Sequence, residues 1–194
     1  MQQHPYSVLP LAQFSGQLIF TPCPGTKGTL PFEALQTLKD AGASALLTLM
    51  PTEELLQNEI DVLPEECQML GIEWFHLPVD DDQAPGEAFK NAWEQHHSRL
   101  KQLLNEGKAI AIHCKGGSGR TGLIAAQLLI QSGVPYSDAI RAARKLGTRP
   151  PGAGRRRVPG RGVGTGPAGT FAASAADPRV RRGDDRRLRR TPRR

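Results

Sequence analysis

Lys108-Ala109-Ile110-Ala111-Ile112-His113-Cys114-Lys115-Gly116-Gly117-Ser118-Gly119-Arg120-Thr121-Gly122 is the stretch on which the reading of this chain turns. Lys108 to His113 is an apolar run of strand length, and Arg120 to Gln131 is an apolar run of helix length. Three glycines lie in the turn between them. The same alternation extends upstream. Gln17 to Phe20 reads as a strand closed by Pro22, Pro24 and Gly25, and Pro31 opens a helix to about Asp40. Ala43 to Met50 is a buried strand stopped by Pro51, with Thr52 the expected N-cap of a helix that carries Glu53 and Glu54 in its first turn. A second acidic start, Pro64-Glu65-Glu66, ends at Gly71, and Ile72 to Leu77 has the composition of a strand. Glu87 to Glu106 is the longest helical pattern, with Phe89, Trp93, Leu100, Leu103 and Leu104 at helical spacing. Pro135 opens a last helix to about Leu146. Strands alternating with helices predict an α/β domain with a central, mostly parallel sheet flanked by helices.

The chemistry follows from what stands in the turn. A cysteine attacks as thiolate, and a free thiol with a pKa of ~8.5 offers little of it at neutral pH. Cys114 ends a strand just before a helix N-terminus, where successive backbone N–H groups point inward and form an anion nest. Gly116, Gly117 and Gly119 let the backbone curl tightly enough, and Lys115 and Ser118 complete the cradle. Such a nest holds a phosphate and a thiolate alike. Arg120, six positions after Cys114, brings a planar fork that binds two phosphoryl oxygens at once. Thr121 places a hydroxyl near the sulfur, and His113 is an orienting group rather than a base. The run Gly117 to Gly122 also fits the G-x-G-x-x-G dinucleotide fingerprint, but that fold wants an acid ~20 residues on at a strand end. The nearest candidate, Asp138, falls in a helical stretch, and the fingerprint leaves Cys114 unexplained.

From His113 to Thr121 the loop resembles the signature of the cysteine-dependent protein tyrosine and dual-specificity phosphatases. Further stretches resemble one branch, the kinase-associated phosphatase (cyclin-dependent kinase inhibitor 3) family. These are Pro24-Gly25, Leu35 to Met50 with Glu53-Glu54-Leu55, Gly71-Ile72, His76 to Val79, and the acid loop ending at Pro85. The resemblance covers about Leu18 to Leu146 and implies a dual-specificity phosphatase-like fold. It also implies a general acid four residues before a proline, which places it at Asp81, between Asp80 and Asp82. The implied reaction runs through a cysteinyl-phosphate and needs no metal or other cofactor. The substrate so implied is a phosphorylated protein, such as a phosphorylated kinase, or another phosphomonoester, with phosphotyrosine and phosphoserine/threonine both open. A phosphate-binding module with lost or reduced turnover is the alternative.

The net charge of +6 divides unevenly. Residues 1–147 carry −5 and residues 148–194 carry +11, with 14 arginines and no lysine. We therefore expect a phosphatase-like domain over 1–147 and an Arg/Gly/Pro/Ala-rich tail over 148–194. The tail has no hydrophobic periodicity, so it reads as disordered. In the resembled family the last predicted helix is followed by one more, of which residues 148–194 show only the faint turn Arg149-Pro150-Pro151-Gly152-Ala153. Arg, Gly, Pro and Ala all have GC-rich codons, so the tail reads as out-of-frame translation. The competing reading is a basic segment for nucleic acid or acidic partners, and nothing else in the chain points to nucleic acid. Three cysteines at unrelated spacings form no disulfide framework and suit a reducing cytoplasm. No apolar run approaches the ~20 residues of a membrane span, and Met1 to Phe20 lacks the pattern of a secretory signal.

Overall fold

A computed structural model describes residues 3–147. The expectations for the arginine-rich tail, and for the absence of the resembled family's further helix after Leu146, fall on residues outside that range. The elements are β1 (Ser7–Pro10), β2 (Gln17–Pro22), α1 (Pro31–Asp40), β3 (Ala43–Thr48), α2 (Thr52–Gln57) and α3 (Leu63–Met69). They continue as β4 (Glu73–His76), α4 (Glu87–Asn105), β5 (Ala109–Cys114), α5 (Gly119–Gln131) and α6 (Tyr136–Gly147). The five strands form one sheet in the order β1-β2-β5-β3-β4. All pairings are parallel except β1 with β2.

The buried strands show which helices cover which face. Leu18 and Phe20, Leu47, Ile110 and Ile112 pack with Phe89, Trp93, Leu100, Ile124 and Leu128 of α4 and α5. Their alternates, Ile19, Leu46, Ala109 and Ala111, pack with Leu35, Leu38, Leu63 and Cys67 of α1 and α3. Both faces are dry, which is why these strands are apolar throughout rather than alternating. Each large side chain so buried contributes about 1.5–3 kcal/mol before entropy is charged against it. The helices that follow β2 and β3 cover one face, and those that follow β4 and β5 cover the other. The carboxyl end of β5, between β2 and β3, is therefore a topological switch point, the place where α/β sheets open a crevice.

One local expectation is corrected. Thr52 is the first helical residue and not the N-cap. Pro51 holds the cap position and no side chain bonds the helix start. β1 was not anticipated. Its four residues end in Pro10, whose missing N–H is harmless on an edge strand.

Candidate active site

Cys114 is the last residue of β5, and α5 begins five residues later at Gly119. Ser118 stands at the N-cap position without a side-chain bond into the helix, so the first-turn amides of α5 remain available to an anion. The Cys114 side chain is 4 % exposed, and the Gly117 amide donates to its sulfur at 3.3 Å. Burial alone pushes this thiol up. The polar hydrogens near the sulfur, on the Thr121 hydroxyl and on the Thr121, Gly117 and Ser118 amides, outweigh it and leave the thiol below its ordinary range. The Thr121 hydroxyl is buried and meets no partner at good hydrogen-bond geometry, so its help to the sulfur is that of a nearby dipole.

Only one glycine of the cradle is required to be glycine. Gly117 has φ +79°, and a Cβ there would lie 2.5 Å from Pro22 N and 2.6 Å from the Thr21 carbonyl carbon. Gly116 and Gly119 have open space where a Cβ would go. The curl expected from three glycines thus rests on Gly117, where the loop crosses the end of β2. Lys115 is exposed, and its carbonyl accepts from the Cys23 amide at 3.3 Å, tying the loop to the same strand end.

Arg120 is 6 % exposed at the start of α5. Its Nη1 donates to Glu54 Oε2 at 2.5 Å and to the Val79 carbonyl at 3.0 Å, and Nη2 donates to Glu54 Oε1 at 2.9 Å. A guanidinium has five N–H donors. Three are spent on holding the group still, and the Nε–H and one Nη2–H remain, the edge that grips two oxygens of a tetrahedral anion side-on. Nε has no hydrogen-bond partner. Asp81 Oδ1 lies across this edge, 3.4 Å from Nε, with its side chain 72 % exposed. Asp80 and Asp82 are also exposed, and among the described residues neither pairs with the arginine. The hydrogen bond of Glu54 is the first cause that keeps the guanidinium firmly charged.

His113 is fully buried. Its Nε2 lies 2.8 Å from Thr48 Oγ1, and burial drives its pKa down to about 3, so the ring is neutral. Cys23 and Cys67 are buried and unpaired, and burial pushes both thiols up, that of Cys67 to about 12. Asp138 lies within α6 and not at the strand end that a dinucleotide fold wants, and it pairs with Arg141 at 3.3 Å. Glu54 and the Val79 carbonyl are members of the site that sequence reasoning missed. In the sequence Glu54 is a favourable charge at a helix start and part of a stretch that carries the family resemblance, with no sign of a partner. The signal was the need of a buried arginine for a carboxylate partner, but sequence alone does not say which acid supplies it.

A strand ending in cysteine, a C-x5-R loop and a helix, set at the switch point of a parallel sheet, place the molecule in the α/β fold class of the dual-specificity phosphatases. Residues 26–134 match the family described as "Polymorphic toxin system, DSP-PTPase phosphatase". With over half its length matched, the chain belongs to that family, within the cysteine-based phosphatase superfamily. It is 30 % identical over 105 residues to protein tyrosine phosphatase type IVA 2 of Mus musculus, covering 48 % of this chain and 61 % of that protein. To cyclin-dependent kinase inhibitor 3 of Rattus norvegicus it is 32 % identical over 95 residues, covering 49 % and 43 %. The chain thus spans less than two thirds of the length of these relatives. A crystal structure of kinase associated phosphatase, with its catalytic cysteine replaced by serine, superposes with a TM-score of 0.65 at 24 % identity. That match covers 75 % of this chain and 85 % of the other, and shows the shared fold. No helix among the described residues is long and apolar enough to cross a membrane.

Proposed function

We propose that the protein is a phosphoric monoester hydrolase that dephosphorylates phosphoproteins through a cysteinyl-phosphate on Cys114. The observation that carries the reading is the Arg120 guanidinium, held by Glu54 and Val79 with one two-donor edge faced only by the exposed Asp81, in the same loop-helix unit that lowers the Cys114 thiol.

The reaction divides into two displacements. Phosphate oxygens sit on the loop amides of Lys115 to Gly119 and on the open edge of Arg120. Displaced from that edge by the incoming phosphate, Asp81 is left free to carry a proton. The Cys114 thiolate forms the S–P bond as the ester P–O bond breaks, and protonated Asp81 gives its proton to the departing oxygen. Water then attacks phosphorus, Asp81 takes its proton, and the S–P bond breaks to return thiolate and inorganic phosphate. Arg120 and the amides hold the charge on the equatorial oxygens throughout, in a geometry fixed before substrate arrives. The Thr121 hydroxyl stabilises the sulfur as it leaves. None of these steps calls on a cofactor.

The substrate class we favour is a phosphorylated protein, including a phosphorylated kinase, on the likeness to cyclin-dependent kinase inhibitor 3 and kinase associated phosphatase. A reducing, cytoplasmic setting agrees with three unpaired cysteines. Turnover of p-nitrophenyl phosphate and of phosphotyrosyl and phosphothreonyl peptides tests the reading. We expect hydrolysis by the wild type and a loss of roughly a thousandfold or more in Cys114→Ser. Binding of phosphate without turnover by the wild type would instead make this a phosphate-binding module.

A further inference from the structure

Apart from Arg120 and Thr121, the described residues contain four buried polar side chains: His4, Thr21, Thr48 and His113. In the sheet register Thr21 of β2 and Thr48 of β3 stand on either side of His113 of β5. They share the face covered by α1 and α3, opposite the Cys114 side chain. A polar row therefore runs across the apolar sheet one residue before the nucleophile. Polar groups cost free energy to bury, and hydrogen bonds must offset that cost.

On the β4 side the donor directions can be worked out. The Trp74 indole N–H has no lone pair to offer and can only donate, and it meets Thr48 Oγ1 at 2.9 Å. Thr48 is fully buried, so its single hydroxyl proton needs an acceptor within the protein. The remaining contact of that hydroxyl is His113 Nε2, at 2.8 Å. If Nε2 carried a hydrogen, two donors would point at one oxygen and the Thr48 proton would have no acceptor. A bare Nε2 accepts that proton and completes the chain from Trp74 to His113. The proton of the neutral ring is then on Nδ1, which is buried and has no hydrogen-bond partner among the described residues. The backbone acceptor that acts on the ring is that of Cys114. His76, stacked on Trp74 with ring centroids 5.2 Å apart and bonded through Nε2 to the Met50 carbonyl at 2.8 Å, steadies the indole.

We propose that Trp74 and Thr48 are positioning residues for the nucleophile, a relay across β4, β3 and β5 that fixes the His113 tautomer and presents Nδ1–H to the backbone of Cys114. With Nδ1–H in that place the Cys114 peptide is held so that the following amides converge on the sulfur. With the other tautomer Nδ1 would offer the Cys114 backbone no proton. The relay touches neither substrate nor sulfur. The charged and titratable groups around it are His4, His76 and Arg120 about the ring, and Cys23 and Arg120 about the thiol.

The inference rests on Cys114 being the nucleophile, and it is tested without turnover. The pH dependence of Cys114 alkylation reads the thiolate, and nitrogen-15 NMR of the histidines reads the tautomer. We expect the Nδ1–H form of His113 in the wild type. Trp74→Phe keeps the ring and loses the N–H. It should mix the tautomers and shift the alkylation profile upward by roughly 0.5 to 1 pH unit, the worth of one neutral hydrogen bond. Thr48→Val should shift it at least as far, and Thr48→Ser should restore the wild-type profile. That Ser/Val pair keeps the test decisive if Trp74→Phe folds poorly. An Nε2–H tautomer in the wild type, or unchanged profiles in Trp74→Phe and Thr48→Val, would overturn the relay. The expected shifts in Trp74→Phe and Thr48→Val, found in a protein that hydrolyses no phosphate ester, would uphold the relay and sink the hydrolase reading.

Discussion

Glu54 and Arg120, 66 positions apart in sequence, meet end-on through two hydrogen bonds at 2.5 and 2.9 Å, with the arginine almost wholly buried. The pair fixes the orientation of the Arg120 guanidinium. Glu54→Gln keeps one acceptor and loses the charge. It should lower kcat/KM about 10- to 100-fold, because an ångström of misplacement is costly in a preorganised site. Glu54→Ala leaves a buried cation without its partner and should also cost about 1–3 kcal/mol of stability, moderated by the partial exposure of the carboxylate. Steady-state kinetics and urea melts of both variants check this. Wild-type values in Glu54→Ala would remove Glu54 from the site.

Asp81 is expected to act in both chemical steps without contributing to phosphate affinity. Asp81→Asn should reduce kcat roughly 100-fold or more, with orthovanadate or phosphate binding retained. The same change at Asp80 or Asp82 should leave kcat within a few-fold of wild type. If Asp81→Asn is as fast as wild type, the acid lies elsewhere.

Gly117→Ala forces a side chain into left-handed backbone, costing about 1–2 kcal/mol on that account alone, and drives Cβ against Thr21 and Pro22. Loss of phosphate binding and a lowered Tm should follow together. Gly116→Ala and Gly119→Ala meet open space and should retain the fold. Equal damage at all three positions would show that the loop is not pinned at β2.

His113 makes stability depend on pH. Its ordinary pKa of 6.5 falls to about 3 in the folded protein, chiefly through burial. Between those values the unfolded chain binds a proton that the folded chain refuses, so acidification favours unfolding. The stability is present in full above about pH 6.5 and is lost as pH falls toward about 3. This group alone contributes a slope approaching about 1.4 kcal/mol per pH unit. His4, also lowered first by burial, acts in the same direction. Urea unfolding across this range should show the slope, and His113→Asn should flatten it. An unchanged slope in that variant would assign the acid sensitivity to other groups.

The sequence was most legible where chemistry and chain continuity coincide. Cys114 to Arg120 lies within a single β-loop-α unit, so its glycines, its cysteine and its arginine report on one another without any knowledge of the fold. The apolar runs Ala43 to Thr48 and Ala109 to Cys114 betrayed a doubly covered sheet because burial on both faces removes alternation. Partners from distant strands left no such trace. Glu54 looks like a helix-start charge until α2 is set beside α5, and Thr48 and Trp74 look like ordinary strand residues until β3 and β4 are laid against β5. Thr52 was misread because Pro51 takes the cap position, where no side chain is needed to bond the helix start.

Trapping the covalent intermediate bears most directly on the central claim. Wild-type protein mixed with a phosphomonoester and quenched by denaturation within the first turnover should carry a phosphoryl group on the Cys114 sulfur. By mass spectrometry of the Cys114 peptide, that group should form and decay no more slowly than turnover. Hydrolysis that proceeds with no phosphoryl group ever found on Cys114, or that survives undiminished in Cys114→Ser, would contradict it.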